Sequence, residues 1–158
     1  DWLGLVPILV CFIFGCLGFL QLIKRRSIFK VDYDILLLGG YYILVIAGYL
    51  FFEMVPINYR PILINGYMEA SYPSSTTLLV LSVMPTLNLQ VDRRVRNRRI
   101  GKAIQGLSVA FSALLVVGRL ISGVHWFSDI VGACFLSGGV FHLYRGMVLW
   151  LEERNGIS

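Results

Sequence analysis

Long apolar runs separated by basic clusters are the feature that most constrains how this chain can fold. Of its 158 residues, 57% are hydrophobic and only 15% are charged, whereas about a quarter of the residues in a soluble domain are charged. A run of about 20 apolar residues is long enough to cross a bilayer as a helix. The sequence therefore predicts an all-α, polytopic membrane helix bundle that forms a single integral membrane domain over residues 1–158.

Five membrane spans are predicted from these runs. The third is short and contains Pro85, which predicts a kink, and the fifth continues into an amphipathic tail, Arg145–Arg154. The loop between the second and third spans is polar and holds three of the five prolines, so it cannot be a spanning helix. The predicted spans are Leu3–Ile23, Ile35–Phe52, Thr76–Gln90, Ala103–Ser122 and Phe127 to about Tyr144, with the loop at Glu53–Ser75.

The basic residues predict the orientation of these spans. All of the 14 Lys and Arg residues except Arg60 and Arg119 lie in Lys24–Lys30, in Arg93–Lys102 or in the C-terminal stretch. The positive-inside rule places those three regions in the cytoplasm. The loop and the turn at 122–127 then share the outer, non-cytoplasmic face with the N-terminus, which predicts one further upstream helix. This placement makes the net charge of +5 a signal of membrane orientation and of contact with anionic lipids, so no nucleic-acid partner is expected.

Arg60 and Arg119 are the two cations left on the outer face. A charged side chain at the end of an apolar helix needs a partner. The planar guanidinium donates paired hydrogen bonds that match phosphate oxygens. The two arginines therefore predict a phosphate ligand, although lipid headgroups could also account for Arg60.

His125 and Asp129 form a second polar feature near Arg119. They are four residues apart at the start of the fifth span, so they lie on one face of the helix, one turn apart. A carboxylate in that position can accept the ring N–H and leave the other nitrogen free to act as nucleophile or base. The alternative is an interfacial histidine that is held there for structural reasons only.

A cluster of hydroxyl residues opens the third span. Hydroxyls and N–H groups at a helix N-terminus can bind an anion, but the same residues also serve as an ordinary N-cap. The three cysteines lie in apolar runs without metal-binding spacing, and no metal or cofactor is predicted. The cluster is Pro73, Ser74, Ser75, Thr76 and Thr77.

These residues together resemble the three signature motifs of the type 2 phosphatidic acid phosphatase superfamily. The family patterns are K-x6-R-P, P-S-G-H and S-R-x5-H-x3-D. They are matched by Arg60-Pro61, by Pro73 to Thr76, and by Arg119 with His125 and Asp129. The resemblance implies a six-helix bundle, of which this chain would have five helices, and metal-independent hydrolysis of a lipid phosphate.

The resemblance also implies roles for individual residues. His125 would attack phosphorus and form a phosphohistidine, and Asp129 would orient it. The phosphate oxygens would be held by Arg60, Arg119 and the segment Ser74, Ser75 and Thr76. The site would face the non-cytoplasmic side of a multi-pass protein of the cell membrane, while the oligomeric state is left open.

Four positions depart from the family patterns. Glu53 replaces the Lys of the first motif, Gly118 replaces the Ser before Arg119, and Ser75 replaces the Gly of the second motif. Thr76 stands where the family has a histidine that protonates the leaving group, and threonine cannot act as an acid near neutral pH. Glu53, Glu69 and Tyr72 are possible substitutes for that proton donor.

The loss of a general acid predicts the substrate class. An alkoxide leaving group has a conjugate acid about as weak as water, with a pKa of about 15.7, whereas the second pKa of a phosphate monoester is about 6. The chain is therefore expected to prefer a lipid diphosphate, such as a polyprenyl diphosphate, over a monophosphate. Two alternatives are a degenerate family member that binds or moves lipid phosphates without hydrolysis, and a small-molecule transporter.

Overall fold

Five long helices form the structure, a computed structural model that describes residues 2–64 and 66–156. Asp1, Asn65, Ile157 and Ser158 lie outside the described residues. The all-α membrane bundle predicted from the sequence is confirmed. The helices are α1 (Leu5–Arg25), α2 (Tyr33–Met54), α3 (Ser75–Arg94), α4 (Arg98–Ile121) and α5 (Phe127–Arg154), with two single-turn 3-10 helices at Trp2–Gly4 and Ile28–Lys30.

The helices extend beyond the predicted spans at the ends that carry basic residues. α3 continues to Arg94, and α4 begins at Arg98, because long basic side chains can reach polar surroundings while the helix backbone continues. Asn97 starts α4 by accepting the N–H groups of Arg99 and Ile100 at 3.0 and 3.3 Å, as an N-cap residue does. The predicted amphipathic tail belongs to α5, which is one continuous helix of 28 residues.

Four of the helices within the described ranges, α1, α2, α4 and α5, are long and apolar enough to cross a membrane. α3 is less apolar than the other four helices. Its 20 residues nevertheless give a length of about 30 Å, which matches the hydrocarbon core of a bilayer. It packs against all four of the other helices. Its polar side chains Thr77, Ser82, Thr86 and Gln90 are therefore buried inside the bundle and are removed from lipid.

Apolar packing and a few hydrogen bonds hold α3 in the centre. Val80 and Met84 of α3 pack against Leu115 of α4. On the other side, the hydroxyl of Tyr41 in α2 donates to the carbonyl oxygen of Ser82 at 2.9 Å. A buried polar group that has a partner avoids the penalty of desolvation, so a relatively polar helix is stable at this position.

Charged side chains connect α2, α3 and α5 at the end of the bundle where α3 finishes. Arg94 donates to both carboxylate oxygens of Asp34, at 3.0 and 2.9 Å. Arg93 lies 3.3 Å from Asp34 and also donates to Glu152 of α5. We call Asp34, Arg93, Arg94 and Glu152 the basic-end network. Part of the basic cluster therefore joins helices, in addition to any role in orientation.

Candidate active site

The opposite end of the bundle, where α3 begins, brings together the residues singled out from the sequence. The loop of residues 55–74 folds back over this end, with antiparallel bridges between Tyr59 and Ala70 and between Ile64 and Tyr67. This folding brings Arg60 and the start of α3 next to the turn between α4 and α5. The turn contains His125, and Asp129 lies in the first turn of α5.

His125 is buried, with 6% of its surface exposed. Its Nδ1 atom lies 3.1 Å from the carbonyl oxygen of Ser71 and 3.2 Å from the Ser71 hydroxyl oxygen. A carbonyl oxygen can only accept, so this contact requires the proton on Nδ1. The Nε2 atom then keeps its lone pair, which is the form needed for a nucleophile.

Asp129 is fully buried behind His125. Its carboxylate accepts hydrogen bonds from the backbone N–H of Trp126 and from the Asn58 amide, both at 2.9 Å, and from the Ser71 hydroxyl. The bond from Trp126 closes the first turn of α5, where a carboxylate also complements the helix dipole. These bonds hold the carboxylate in one orientation.

The distance between His125 and Asp129 differs from the sequence-based expectation. Nδ1 of His125 is 3.7 Å from Oδ2 of Asp129, which is too far for a direct hydrogen bond. Ser71 lies between them, because its hydroxyl donates to the carboxylate and its carbonyl oxygen accepts the ring N–H. The carboxylate therefore acts on the ring through Ser71 and through its charge.

Ser74 and Ser75 differ in what they can offer a ligand. Ser74 is fully buried; its N–H donates to the carbonyl oxygen of Asp129 at 3.2 Å and its hydroxyl donates to Thr77 at 3.0 Å. It joins the start of α3 to α5. Ser75 lines a polar cavity beside His125, at a helix N-terminus, where N–H groups of the first turn have no carbonyl partner within the helix.

Thr76 and Arg119 are partners at one side of the site. The Nη2 atom of Arg119, in the last turn of α4, donates to the Thr76 hydroxyl at 2.6 Å. The residue that replaces the family histidine therefore accepts a hydrogen bond from a cation. This contact orients the guanidinium toward the start of α3.

Arg60 lies on the other side of the site and is close to a carboxylate. Its Nε atom is 3.2 Å from Oε2 of Glu69, but the N–H does not point at that oxygen and has no hydrogen-bond acceptor among the described residues. The backbone N–H of Arg60 donates to the carbonyl oxygen of Glu69 at 3.1 Å. The guanidinium is thus placed by the loop and is available to a further acceptor.

A cavity of about 270 Å³ joins several of these groups. Arg60, Ser75 and His125 line it, together with the carboxylates of Glu53 and Glu69 and the rings of Tyr49 and Tyr72. Tyr72 reaches this position because Gly132 of α5 has no side chain: a Cβ atom there would lie 2.2 Å from the Tyr72 ring. Asp129 and Ser74 lie beneath the cavity, and the cavity can accept a phosphate-sized group.

The surroundings of His125 favour its neutral form. Burial lowers the pKa of His125 below its usual value, Arg60 lowers it further, Asp129 raises it and Arg119 lowers it. Desolvation and nearby cations both disfavour a charged imidazole. Within the described ranges, no three His, Cys, Asp or Glu side chains come together as a possible metal site.

Ser71 and Asn58 were not identified from the sequence. Both lie in the polar loop and contact Asp129, which is 58 and 71 residues away in the chain. A serine and an asparagine in a loop carry no periodic signal, and their spacing from His125 follows from the path of the loop. The sequence signal that was available for Ser71 is its position three residues before Ser74, close to the hydroxyl cluster that opens α3.

Comparison with known proteins identifies the family of the chain. The model of the PAP2 superfamily matches residues 38–153. The chain belongs to the PAP2 superfamily, which confirms the resemblance drawn from its motifs.

A solved structure of a transmembrane PAP2-type phosphatidylglycerolphosphate phosphatase from Bacillus subtilis has the same fold. Its TM-score is 0.57 at 18% sequence identity, and the match covers 93% of this chain and 77% of that one. No curated protein sequence matches the chain. The chain is therefore a PAP2 superfamily member with the fold of a transmembrane PAP2-type protein.

Proposed function

We propose that this protein is a membrane phosphatase that hydrolyses a lipid phosphate, with a preference for a diphosphate such as a polyprenyl diphosphate. The observation that carries the proposal is the state of His125. Its Nδ1 proton is held by the Ser71 carbonyl oxygen at 3.1 Å, in a cavity that it shares with Arg60. An oriented, neutral imidazole next to a guanidinium is suited to attack on phosphorus.

In the proposed reaction, Nε2 of His125 attacks the terminal phosphorus of the substrate. An N–P bond forms, and the bond from phosphorus to the bridging oxygen breaks, so the lipid monophosphate leaves with the electron pair. Arg60 and Arg119 stabilise the charge that builds on the phosphoryl oxygens. Water then attacks the phosphohistidine, and the N–P bond breaks with its electron pair returning to Nε2. The two protons of the water leave with the inorganic phosphate, which exchanges them with solvent.

Thr76 supports the preference for a diphosphate. Its hydroxyl accepts a hydrogen bond from Arg119, and a threonine hydroxyl is too weak an acid to protonate a leaving group near neutral pH. A general acid typically contributes about 10²–10⁴-fold to a rate. A lipid monophosphate leaves readily without that assistance because the second pKa of a phosphate monoester is about 6, whereas an alkoxide does not.

The competing function is binding or movement of lipid phosphates without hydrolysis. Such a protein needs the arginines but has no need of an oriented nucleophile. The hydrogen bonds from Ser71 and Asn58 to Asp129, and the contact of Ser71 with His125, therefore favour hydrolysis.

The location of the site supports a multi-pass protein of the cell membrane with its active site on the non-cytoplasmic face. The candidate site lies where α3 begins, while the basic-end network lies where α3 finishes. Basic clusters mark the cytoplasmic ends of membrane helices. The site is therefore assigned to the opposite face, where lipid phosphates of the outer leaflet would be its substrates.

The test compares phosphate release from a prenyl diphosphate and from the matching prenyl monophosphate by purified protein. Wild-type protein should act on the diphosphate at least about tenfold faster, because only the monophosphate needs a general acid. Thr76→His should raise the rate on the monophosphate more than the rate on the diphosphate. Faster release from the monophosphate by wild-type protein would contradict the proposed preference.

A further inference from the structure

A second cavity lies between α1 and α2, toward the basic end of the bundle. It has a volume of about 430 Å³ and a largely apolar lining. The residues that line it differ from those that line the cavity beside His125, so the proposed chemistry does not use it. We call it the α1–α2 cleft; its lining includes Cys11, Gly15 and Leu22 of α1, Ile28 and Val31 of the connection, and Gly39 of α2.

The packing of α1 against α2 leaves the α1–α2 cleft unfilled by side chains. A Cβ atom added at Gly15 or at Gly39 would meet nothing within 4 Å. Phe19 of α1 and Ile43 of α2 line the cleft and are 62% and 70% exposed, so the cleft opens toward the bilayer. A hydrocarbon chain can therefore enter it from the side.

Basic side chains lie at the end of the cleft where α1 is connected to α2. Ile28 and Val31 line this end, and the exposed residues Lys24, Arg26 and Lys30 belong to the same segment. None of these three cations forms an ion pair with another residue that the structure describes. Uncompensated positive charge beside an apolar cleft is complementary to a molecule with an anionic head and a hydrocarbon chain, and basic pockets between membrane helices bind lipid head groups in this way.

We propose that the α1–α2 cleft binds an anionic phospholipid of the cytoplasmic leaflet. One acyl chain lies in the cleft, and the phosphate lies against Lys24, Arg26 and Lys30, at the end that the basic clusters mark as cytoplasmic. The charged head provides the selectivity, because a chain that moves from the bilayer into an apolar cleft gains little free energy. This lipid is bound and not hydrolysed, so the proposal does not depend on the proposed function.

The bound lipid stabilises the contact between α1 and α2. Pro7 and Phe14 are the buried residues within the described part of α1, so this helix has few buried contacts of its own with the bundle. A ligand that binds the folded protein raises its apparent stability. In detergent, the protein should therefore unfold at a higher temperature with phosphatidylglycerol than with phosphatidylcholine of the same chains.

Native mass spectrometry of the purified protein, titrated with each of these two lipids, measures the affinity. Wild-type protein should retain one phosphatidylglycerol about tenfold more tightly than phosphatidylcholine, or better, because each cation near a membrane surface contributes about fivefold to the binding of an anionic lipid. Inorganic phosphate should not displace this phosphatidylglycerol, since it has no chain to occupy the cleft.

Gly39→Leu, with Gly48→Leu as the matched control, tests the site of the chain. Both glycines lie on α2, and an added Cβ atom meets nothing within 4 Å at either of them, but Gly39 lines the cleft and Gly48 does not. Gly39→Leu should weaken phosphatidylglycerol binding about fivefold or more, whereas Gly48→Leu should leave it at the wild-type value. Gly15→Leu fills the cleft from α1 and replaces Gly39→Leu if that variant does not fold.

The double variant Lys24→Gln with Lys30→Gln tests the site of the head. It should lower the preference for phosphatidylglycerol over phosphatidylcholine about tenfold or more. The control is Arg98→Gln with Lys102→Gln, which removes two exposed cations of α4 from the same end of the bundle and should keep the preference.

Three results would overturn the proposal. The first is equal affinity of the wild type for the two lipids, and the second is an equal effect of Gly39→Leu and Gly48→Leu on binding. The third is loss of phosphatidylglycerol binding in Arg60→Gln together with normal binding in the double lysine variant, because the lipid would then occupy the candidate active site.

Discussion

Ser71 contacts the ring of His125 twice, because its carbonyl oxygen lies 3.1 Å and its hydroxyl oxygen 3.2 Å from Nδ1. The same hydroxyl donates to Asp129. One loop residue therefore fixes the proton of the imidazole and connects it to the buried carboxylate. This makes Ser71 a positioning residue for the proposed nucleophile.

Ser71→Ala should lower kcat roughly tenfold and leave KM nearly unchanged. The substitution removes the hydrogen bond that Ser71 donates to the Asp129 oxygen facing the imidazole. A hydrogen bond to a charged group typically contributes about 1.5–3 kcal/mol to stability. The backbone carbonyl contact remains, so the loss should be partial. Steady-state kinetics with the lipid diphosphate measure it, and Ser71→Thr, which keeps the hydroxyl, should retain most activity.

Asn58→Ala is the control for Ser71→Ala. It also removes a donor from Asp129, but from Oδ1, the oxygen that does not contact Ser71. Asn58→Ala should lower kcat less than Ser71→Ala does, and it should lower the thermal stability of the protein more. Equal kcat values for Ser71→Ala and the wild type would show that Ser71 does not act through His125.

The pH dependence of kcat/KM should show His125 titrating at an unusually low pH. Its pKa is lowered by burial and by Arg60, and the usual histidine value is about 6.5. Because the neutral ring is the nucleophile, activity is lost as the pH falls through this pKa. The acid limb of the wild-type profile should therefore lie below about pH 6.5.

Arg60→Gln should shift that acid limb to higher pH. The substitution removes a cation that lowers the pKa of His125, so the ring is protonated earlier as the pH falls. Titration of the substrate phosphate is the same for both proteins and cancels in the comparison. An acid limb at the wild-type position, or at lower pH, would contradict the assignment of the limb to His125.

Glu69→Gln should lower KM for the diphosphate about two- to fivefold with little change in kcat. Glu69 lies 3.2 Å from Arg60 and competes with the phosphate for that guanidinium. A partly exposed ion pair is worth about 0.2–1 kcal/mol, which sets the size of the effect. Steady-state kinetics measure it.

Glu53→Gln is the matched control for Glu69→Gln. Glu53 lines the same cavity, but among the described residues it is Glu69 that forms the ion pair with Arg60, so substitution of Glu53 should change KM less. A large loss of kcat in either variant would contradict the account, because it would identify that carboxyl group as a proton donor to the leaving group.

Asp34→Asn should destabilise the bundle without changing the chemistry. Asp34 is 5% exposed and accepts hydrogen bonds from Gln90, Arg93 and Arg94. Removal of one partner from a buried ionic network typically costs about 3–5 kcal/mol. Thermal unfolding in detergent should show a clear loss, whereas kcat at low temperature should stay near the wild-type value.

Asp92→Asn provides the comparison for Asp34→Asn. Asp92 also lies near the end of α3, but its hydrogen bond with Gln105 is exposed, so the substitution should have little effect on unfolding. If both variants unfold alike, the basic-end network does not stabilise the packing of α2, α3 and α5.

Much of the fold could be predicted because the apolar runs and basic clusters that define the helices and their orientation are visible in the sequence alone. They do not depend on which residues contact each other in the folded protein. The five helices lie where the runs predicted them. The third span was predicted to be short, Thr76–Gln90, whereas α3 runs from Ser75 to Arg94. Its polar residues, such as Thr86 and Gln90, lower its hydropathy, but they are buried among the other helices. Its extension to Arg94 depends on ion pairs with Asp34 that the sequence does not reveal.

The grouping of Arg60, Arg119, His125 and Asp129 at one end of the bundle also followed from topology and spacing. The hydrogen bonds within the group did not, because they depend on how the loop of residues 55–74 folds over α5. Ser71 occupies the position between ring and carboxylate that spacing alone assigned to a direct contact. The hydrogen bond from the Ser74 N–H to the carbonyl oxygen of Asp129 likewise could not be predicted, because a sequence motif does not specify backbone contacts between distant segments.

The most direct test of the account is to look for the phosphohistidine itself. Wild-type protein and His125→Ala are mixed with a lipid diphosphate labelled in its terminal phosphate, quenched in base during the first turnover, and analysed for phosphate bound to protein and released. The account predicts labelled protein and released phosphate from the wild type, and neither from His125→Ala. Equal phosphate release by both proteins, or lipid binding without release by either, would contradict it.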